Sequence, residues 1–296
     1  MPPDARPSEP AARRARRTCL RRAGGTGSII PGVTTDGEYL LANQQAQAGA
    51  RFAALAALFD ASTLRHFETI GVADGWRCWE VGAGGPTIPA WLAERSGPGG
   101  RVVATDIDVS WLPRTGAGFE VRVHDVGADP PPGDGFDLVH ARLVLGHVAR
   151  RADALASMVA ALRPGGWLLL EEADPALQPL VCLDEFTPEH ELANKLKRGF
   201  RTLMRERGVD LAFGRSLPRL LRTVGLGGVT ADAYFPVTGP ACAALERATV
   251  LQIRDRLIAA GLATEAEIAR HLATVESGTL DLATSPMISA WGSKPL

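Results

Sequence analysis

The stretch WEVGAGGPTIPAWLAERSGPGGRVVATDID, Trp79 to Asp108, constrains this chain more than any other. An apolar strand pattern ends in a glycine turn, a helical pattern follows through AWLAER, and a second apolar strand closes on Asp106. Gly82 and Gly84 leave the backbone bare just past the first strand, so a ligand can approach it closely. Asp106 stands 22 residues beyond Gly84, where a carboxylate can accept hydrogen bonds from both hydroxyls of a ribose. Dinucleotide-binding enzymes share that much of the design, so the turn alone does not choose a ligand.

Three residues separate the cases. A dinucleotide turn would place its third glycine at Thr87, which carries a β-branched side chain. Pro86 lacks the amide that a pyrophosphate would need, although proline is tolerated at a helix start. Glu80 precedes the first glycine, where an acid can meet an ammonium group. These residues suit a ligand with an adenosine, an ammonium and no phosphate, and S-adenosylmethionine has that composition.

The rest of the chain continues the alternation. FEVRVHDV, FDLVHARLVL and WLLLEEAD read as strands, and ADALASMVAALRPGG reads as a helix with a Pro-Gly-Gly stop. Upstream, Phe52, Leu55, Leu58, Phe59, Leu64 and Phe67 recur at helical spacing, predicting two helical pieces broken near Asp60. Strands alternating with helices imply an α/β, doubly wound and mainly parallel sheet. Beyond Asp174 the rhythm changes: residues 175–224 read as charge-rich helices, VTADAYFPV as a strand, 240–276 as two helices and PMISAW as a final strand. The late strand pair predicts an antiparallel edge, and helices over 175–215 and 240–276 a lid above the site.

Charge and composition bound the partners. Residues 1–30 hold seven arginines against Asp4 and Glu9, a balance of +5. Since the whole chain is −1, residues 31–296 carry −6, which argues against a nucleic-acid substrate. The same first 30 residues are too poor in apolar side chains to bury a core, so they read as a disordered basic tail ahead of one domain over 31–296. No apolar run reaches membrane-spanning length and no signal-peptide pattern opens the chain, so a cytoplasmic protein is expected. Cys19, Cys78, Cys182 and Cys242 show no metal-ligand spacing, and no metal is expected. Oligomeric state stays open, a homodimer included.

The sequence resembles the class I S-adenosylmethionine-dependent methyltransferases, and in particular their actinobacterial small-molecule branch. The resemblance runs from about Tyr39 to the C-terminus through EVGAGG, VVATDID, VHDV, FDLVHARLVLGHV, LRPGGWLLLEEAD and SPMISAWGSKP. It implies a seven-stranded Rossmann-like sheet and methyl transfer to a small-molecule acceptor, with secondary metabolism as the setting. Glu80, Gly82, Ala83 and Gly84 would line the methionine part of the cofactor, and Asp106 the ribose. Ile107 would pack on the adenine, Trp111 cover it, and His124, Asp125 and the Val126 amide flank its edge. Ala141 would approach the sulfonium, while Tyr39 and Arg51 (helices over 38–70) would close over the amino-acid end. Pro86 and Gly146 depart from the family pattern; Gly146 replaces a larger or acidic residue, which weakens any substrate-side role transferred to that position.

Methyl transfer is an in-line displacement at an activated carbon, so positioning and water exclusion dominate. A base helps when the acceptor is a hydroxyl or an acidic carbon. His147 and His140 flank the end of the fourth strand as base candidates, and Glu172 and Asp174 end the fifth as candidates to hold a polar acceptor. The acceptor itself is expected to be small and largely apolar. Two rival readings remain: a nicotinamide oxidoreductase, and a protein of the same fold doing cyclase-like chemistry without methyl transfer.

Overall fold

The computed structural model describes residues 40–41, 47–113 and 116–296, all within one unit spanning Gly37–Leu296. The expectations for Tyr39, Cys19 and the basic segment 1–30 lie outside the described residues.

Strand β1 (Arg77–Val81) leads through the glycine turn into helix α2 (Thr87–Ser96), then β2 (Arg101–Asp106) and β3 (Glu120–Val123). Next come β4 (Phe136–Arg142), α3 (Arg151–Ala161), β5 (Leu162–Ala173), β6 (Gly227–Tyr234) and β7 (Met287–Ser293). They form one seven-stranded sheet in the order β3-β2-β1-β4-β5-β7-β6. The first five strands run parallel, while β7 is antiparallel to both β5 and β6. The chain winds outward from β1 to β3, then returns to β4 on the other side. The crevice left at the carboxyl ends of β1 and β4 is where such sheets bind ligands.

Side chains alternate across the sheet, so β1 sends Cys78 and Glu80 to one face and Trp79 and Val81 to the other. Helix α1 (Ala48–Ile70) and α2 cover the first face, packing Phe67, Ile70 and Leu92 on Cys78, Leu138 and Leu169. On the second face, Met158 of α3 and Leu217 of α5 (Leu217–Thr223) join Trp79, Phe136, Val139 and Leu170. The remaining helices, α4 (Pro188–Glu206), α6 (Pro240–Ala259) and α7 (Glu265–Ser277), pack on one another, and α6 lies along α1. Thr187 and Thr264 open α4 and α7 with reciprocal caps to His190 and Glu267, satisfying amides that would otherwise lack partners.

Two local expectations are corrected. Helix α1 runs unbroken through Asp60, because neither glycine nor proline stands between Gly49 in its first turn and Gly71, whose left-handed φ of 89° ends it. The LRPGG segment starts β5 rather than closing a helix: Leu162 already pairs with Phe136, and a register shift between Phe136 and Leu138 absorbs Pro164 and the glycines. Pro86, by contrast, caps α2 as its position suggests. Among the described residues, no helix is long and apolar enough to cross a membrane.

Candidate cofactor and active site

The glycine turn is held in one shape by its backbone. Gly82 and Gly84 have φ of 63° and 60°, a region costly for any residue with a Cβ. Space enforces the same choice: a Cβ at Gly82 would lie 2.3 Å from Val144 Cγ2, and one at Gly84 2.8 Å from the Phe52 ring. The Ala83 amide donates to the Thr105 carbonyl at 3.0 Å, joining the turn to β2. The Gly84 amide donates to Asp106 Oδ2 at 2.9 Å, while the Asp108 amide donates to Oδ1 at 3.0 Å. Burial pushes the Asp106 carboxyl up from its ordinary range, and these amides oppose the shift.

Around Asp106 the surface changes character. Ile107 is 61 % exposed immediately beside the buried acid, an apolar platform on a strand end. The His124 amide donates to the Asp106 carbonyl at 2.9 Å, bringing the end of β3 alongside. His124 itself is buried edge-on to Trp79 with Nε2 2.9 Å from the Pro130 carbonyl, so its ring supports the loop from below. Asp125 is exposed; its Oδ1 accepts from the Gly127 amide at 2.8 Å, while Val126 is buried in the core. Gly49 of α1 meets the Trp111 ring, for a Cβ there would stand 2.3 Å from it. Phe52 lies on Gly84, with the buried Arg51 guanidinium 5.4 Å above its ring. The first turns of α1 therefore cover the glycine turn and the loop after β2.

Arg51, Gly82, Ala83, Gly84, Asp106, Ile107, Trp111 and Asp125 thus gather at the carboxyl ends of β1 to β3. Glu80, His140 and Ala141 lie elsewhere. Ala141 packs into the core cluster that α3 covers. Glu80 and His140 point into the α1 face of the sheet. His140 is fully buried, with Nδ1 2.6 Å from Glu80 Oε2 and Nε2 3.3 Å from Glu171 Oε2. Burial opposes its charge, but Glu80 and Glu171 outweigh that and raise its pKa to about 9. Glu171, desolvated yet hydrogen-bonded by His140 and His66, is held well below the carboxylate range. It also accepts from Ser289 at 2.7 Å and from Thr63, and His66 continues the chain to Asp232 at 3.0 Å. A protonated His140 clamped by two carboxylates can take no proton from an acceptor.

His147 sits on a short 3-10 turn (Leu145–His147) after β4. Burial, with Arg51 and Arg151 adding, lowers its pKa to about 4. Leu143, leading into that turn, has φ of 60°, a strained conformation for a leucine. Glu172 holds the turn in place: Oε1 accepts from the Val144 and Gly146 amides at 3.0 and 3.2 Å. Burial against those amides leaves its pKa at about 7. A Cβ at Gly146 would stand 3.1 Å from Glu172 Oε2, which accounts for the small residue there. Asp174 is likewise engaged, accepting from Arg215 Nε at 2.7 Å and Nη2 at 2.6 Å. Both acids thus organise the chain around the strand ends.

Phe52, Val144, Leu143 and the Glu171–His66 pair carry no sequence signal for the site. Phe52 reads only as one apolar position of a helix, and nothing local marks Val144 as the neighbour of Gly82.

Residues 79–168 match the family model described as a methyltransferase domain. The ubiquinone/menaquinone biosynthesis C-methyltransferase UbiE of Ectopseudomonas mendocina is 35% identical over 125 residues, 39% of this chain and 48% of that protein. Methyltransferase str3 of Strobilurus tenacellus is 31% identical over 153 residues, 49% of this chain and 50% of that protein. The chain thus spans about half the length of these curated relatives. The fold is shared with a Haemonchus contortus phosphoethanolamine N-methyltransferase 2 solved with S-adenosyl-L-methionine. That likeness has a TM-score of 0.55 and 16% identity, and covers 90% of this chain and 61% of that one.

Proposed function

We propose that this chain is a class I S-adenosylmethionine-dependent methyltransferase acting on a small-molecule acceptor. The observation that carries the reading is the buried Asp106 tied to the Gly84 amide, with the exposed Ile107 beside it. A ribose acid and an apolar adenine platform on adjacent residues suit an adenosine. The two positive-φ glycines then leave backbone, not side chain, against the rest of the ligand. Pro86 at the cap of α2 offers no amide to a pyrophosphate, which disfavours a nicotinamide cofactor.

Gly82, Ala83 and Gly84 would hold the cofactor's amino-acid part, Asp106 its ribose, and Ile107, Trp111 and Asp125 its adenine, under Arg51 and the first turns of α1. Glu80 sets the strand under the turn through His140 rather than meeting the ligand directly. When bound, the cofactor supplies a methyl group on a sulfonium, an already activated carbon. The protein would then have to orient the acceptor and exclude water, a task this reading assigns to α1 and the helices α4, α6 and α7. His147 is the titratable group at the end of β4. Its low pKa keeps the imidazole neutral but a weak base, so this reading assigns it a hydrogen bond from an acceptor hydroxyl, with proton transfer only as that oxygen attacks.

Calorimetry with S-adenosylhomocysteine tests this reading. Micromolar-range binding with no response to NADH is expected; tight NADH binding without S-adenosylhomocysteine binding would overturn it.

A further inference from the structure

Helix α4 carries more positive charge than its surroundings neutralise. Two of its cations are paired: Lys195 with Glu267 at 2.6 Å and Arg198 with Glu185 at 3.4 Å. Lys197, Arg201 and Arg205 form a separate row, one turn apart on a single side of the helix. Among the described residues, no carboxylate lies within ion-pair distance of any of the three. Arg205 is exposed, Arg201 is only 8 % exposed, and Lys197 is half-buried with its ammonium 5.5 Å from the Phe200 ring. Arg201 is thus the buried member of the row, between a half-buried and an exposed cation, on a helix that packs against α6 and α7.

Arg201 is the informative member. Its Nε is buried without a hydrogen-bond partner, and the cations on either side of it repel its charge. The acid facing the row is Glu246 of α6, already engaged at 3.1 Å by the buried His271. Glu246 faces Lys197, whose pKa burial lowers and Glu246 partly restores; no acid serves Arg201. A buried guanidinium Nε with no partner and no acid beside the group is unfavourable, and a ligand that brings a counter-charge would relieve it. Guanidinium and ammonium together match an oxyanion, since Arg offers a planar fork and Lys a point charge.

We propose that Lys197, Arg201 and Arg205 form a binding site for an oxyanion, the carboxylate or phosphate group of a small molecule entering past Arg205. Resting on the methyltransferase reading, the occupant is the methyl acceptor: a small, otherwise apolar molecule held by its anionic end among the helices above the sheet. The anion neutralises Arg201 and fixes which end of the molecule faces the strand ends.

Thermal unfolding of the full chain with sodium benzoate or inorganic phosphate at about 10 mM, against sodium chloride of equal ionic strength, tests the site. At least one oxyanion is expected to raise Tm by about 2–4 °C over the chloride control. Benzoate acting alone assigns a carboxylate, and phosphate acting alone a phosphate. Arg201→Met should abolish the rise. Lys197→Met, at the less buried position, should at least halve it and serves if the first variant does not fold. No rise with either probe, or an undiminished rise in a folded variant, overturns the proposal. S-adenosylhomocysteine binding, measured separately on the same samples, distinguishes failure of this site from failure of the methyltransferase reading.

Discussion

Glu80 and His140 stand opposite each other on the adjacent parallel strands β1 and β4, with carboxylate and imidazole 2.6 Å apart and both buried. Glu80 opens the glycine motif, yet its carboxyl, pushed up by burial and held down by His140, is engaged inside the sheet face with a histidine that Glu171 holds from the other side. The arrangement makes the strand beneath the glycine turn part of a buried ionic chain that continues through His66 to Asp232.

That chain makes stability depend on pH. The folded pKa of His140, about 9, lies above its ordinary 6.5. The stabilisation from its protonation is therefore whole below about pH 6.5 and is lost as pH rises through about 9, on the order of 3 kcal/mol in total. Glu171 acts in the opposite sense, its stabilisation being present above pH 4.5 and lost in acid. Denaturant unfolding of wild type and His140→Asn across pH 6 to 10 checks the first window. The variant should lose that part of the slope and be about 3–5 kcal/mol less stable at pH 7, because two buried carboxylates then lack their cation. A variant with wild-type stability at pH 7 would contradict a charged His140.

Asp106→Ala should weaken S-adenosylhomocysteine binding by roughly tenfold to a few hundredfold. Each hydrogen bond to a charged acceptor contributes ~1.5–3 kcal/mol. The dissociation constant from calorimetry, on a variant whose circular dichroism matches wild type, decides it. An unchanged constant would move the ribose role to Asp108.

Gly84→Ala should cost about 1–3 kcal/mol of stability and weaken cofactor binding, since a left-handed backbone and the Phe52 ring both oppose a Cβ. Adding Phe52→Ala removes the steric conflict but leaves the backbone strain. The double variant should therefore not recover the stability expected of Phe52→Ala alone. Melting curves of the three variants separate the two causes.

His147→Ala should lower turnover on a hydroxyl acceptor by ~10²-fold while leaving cofactor affinity intact. Because His147 stays neutral down to about pH 4, the wild-type rate should show no inflection near pH 6.5 from this residue. Turnover of the variant within threefold of wild type would mean that positioning suffices, as for an amine acceptor.

What local chemistry dictates was readable in the chain. Glycines at 82 and 84, Pro86 before a helix, an acid on the next strand end and the alternation of strands and helices are short-range patterns. Each limits the backbone by sterics or by hydrogen-bonding capacity, whatever the rest of the protein does. Gly-Pro punctuation misled once, at LRPGG, because a bulge in β5 accommodates the same residues as a turn. The destinations of Glu80, His140, Glu172 and Asp174 were decided by tertiary structure alone. A strand-end acid or histidine reads the same whether it faces a ligand or a neighbouring strand. Only the register of β1 on β4, β4 on β5 and α1 across them brings Glu80, His140, Glu171 and His66 within hydrogen-bond distance. Burial then penalises any charge left unpaired, so these groups satisfy one another inside the fold, and the same rule makes the unserved Arg201 stand out.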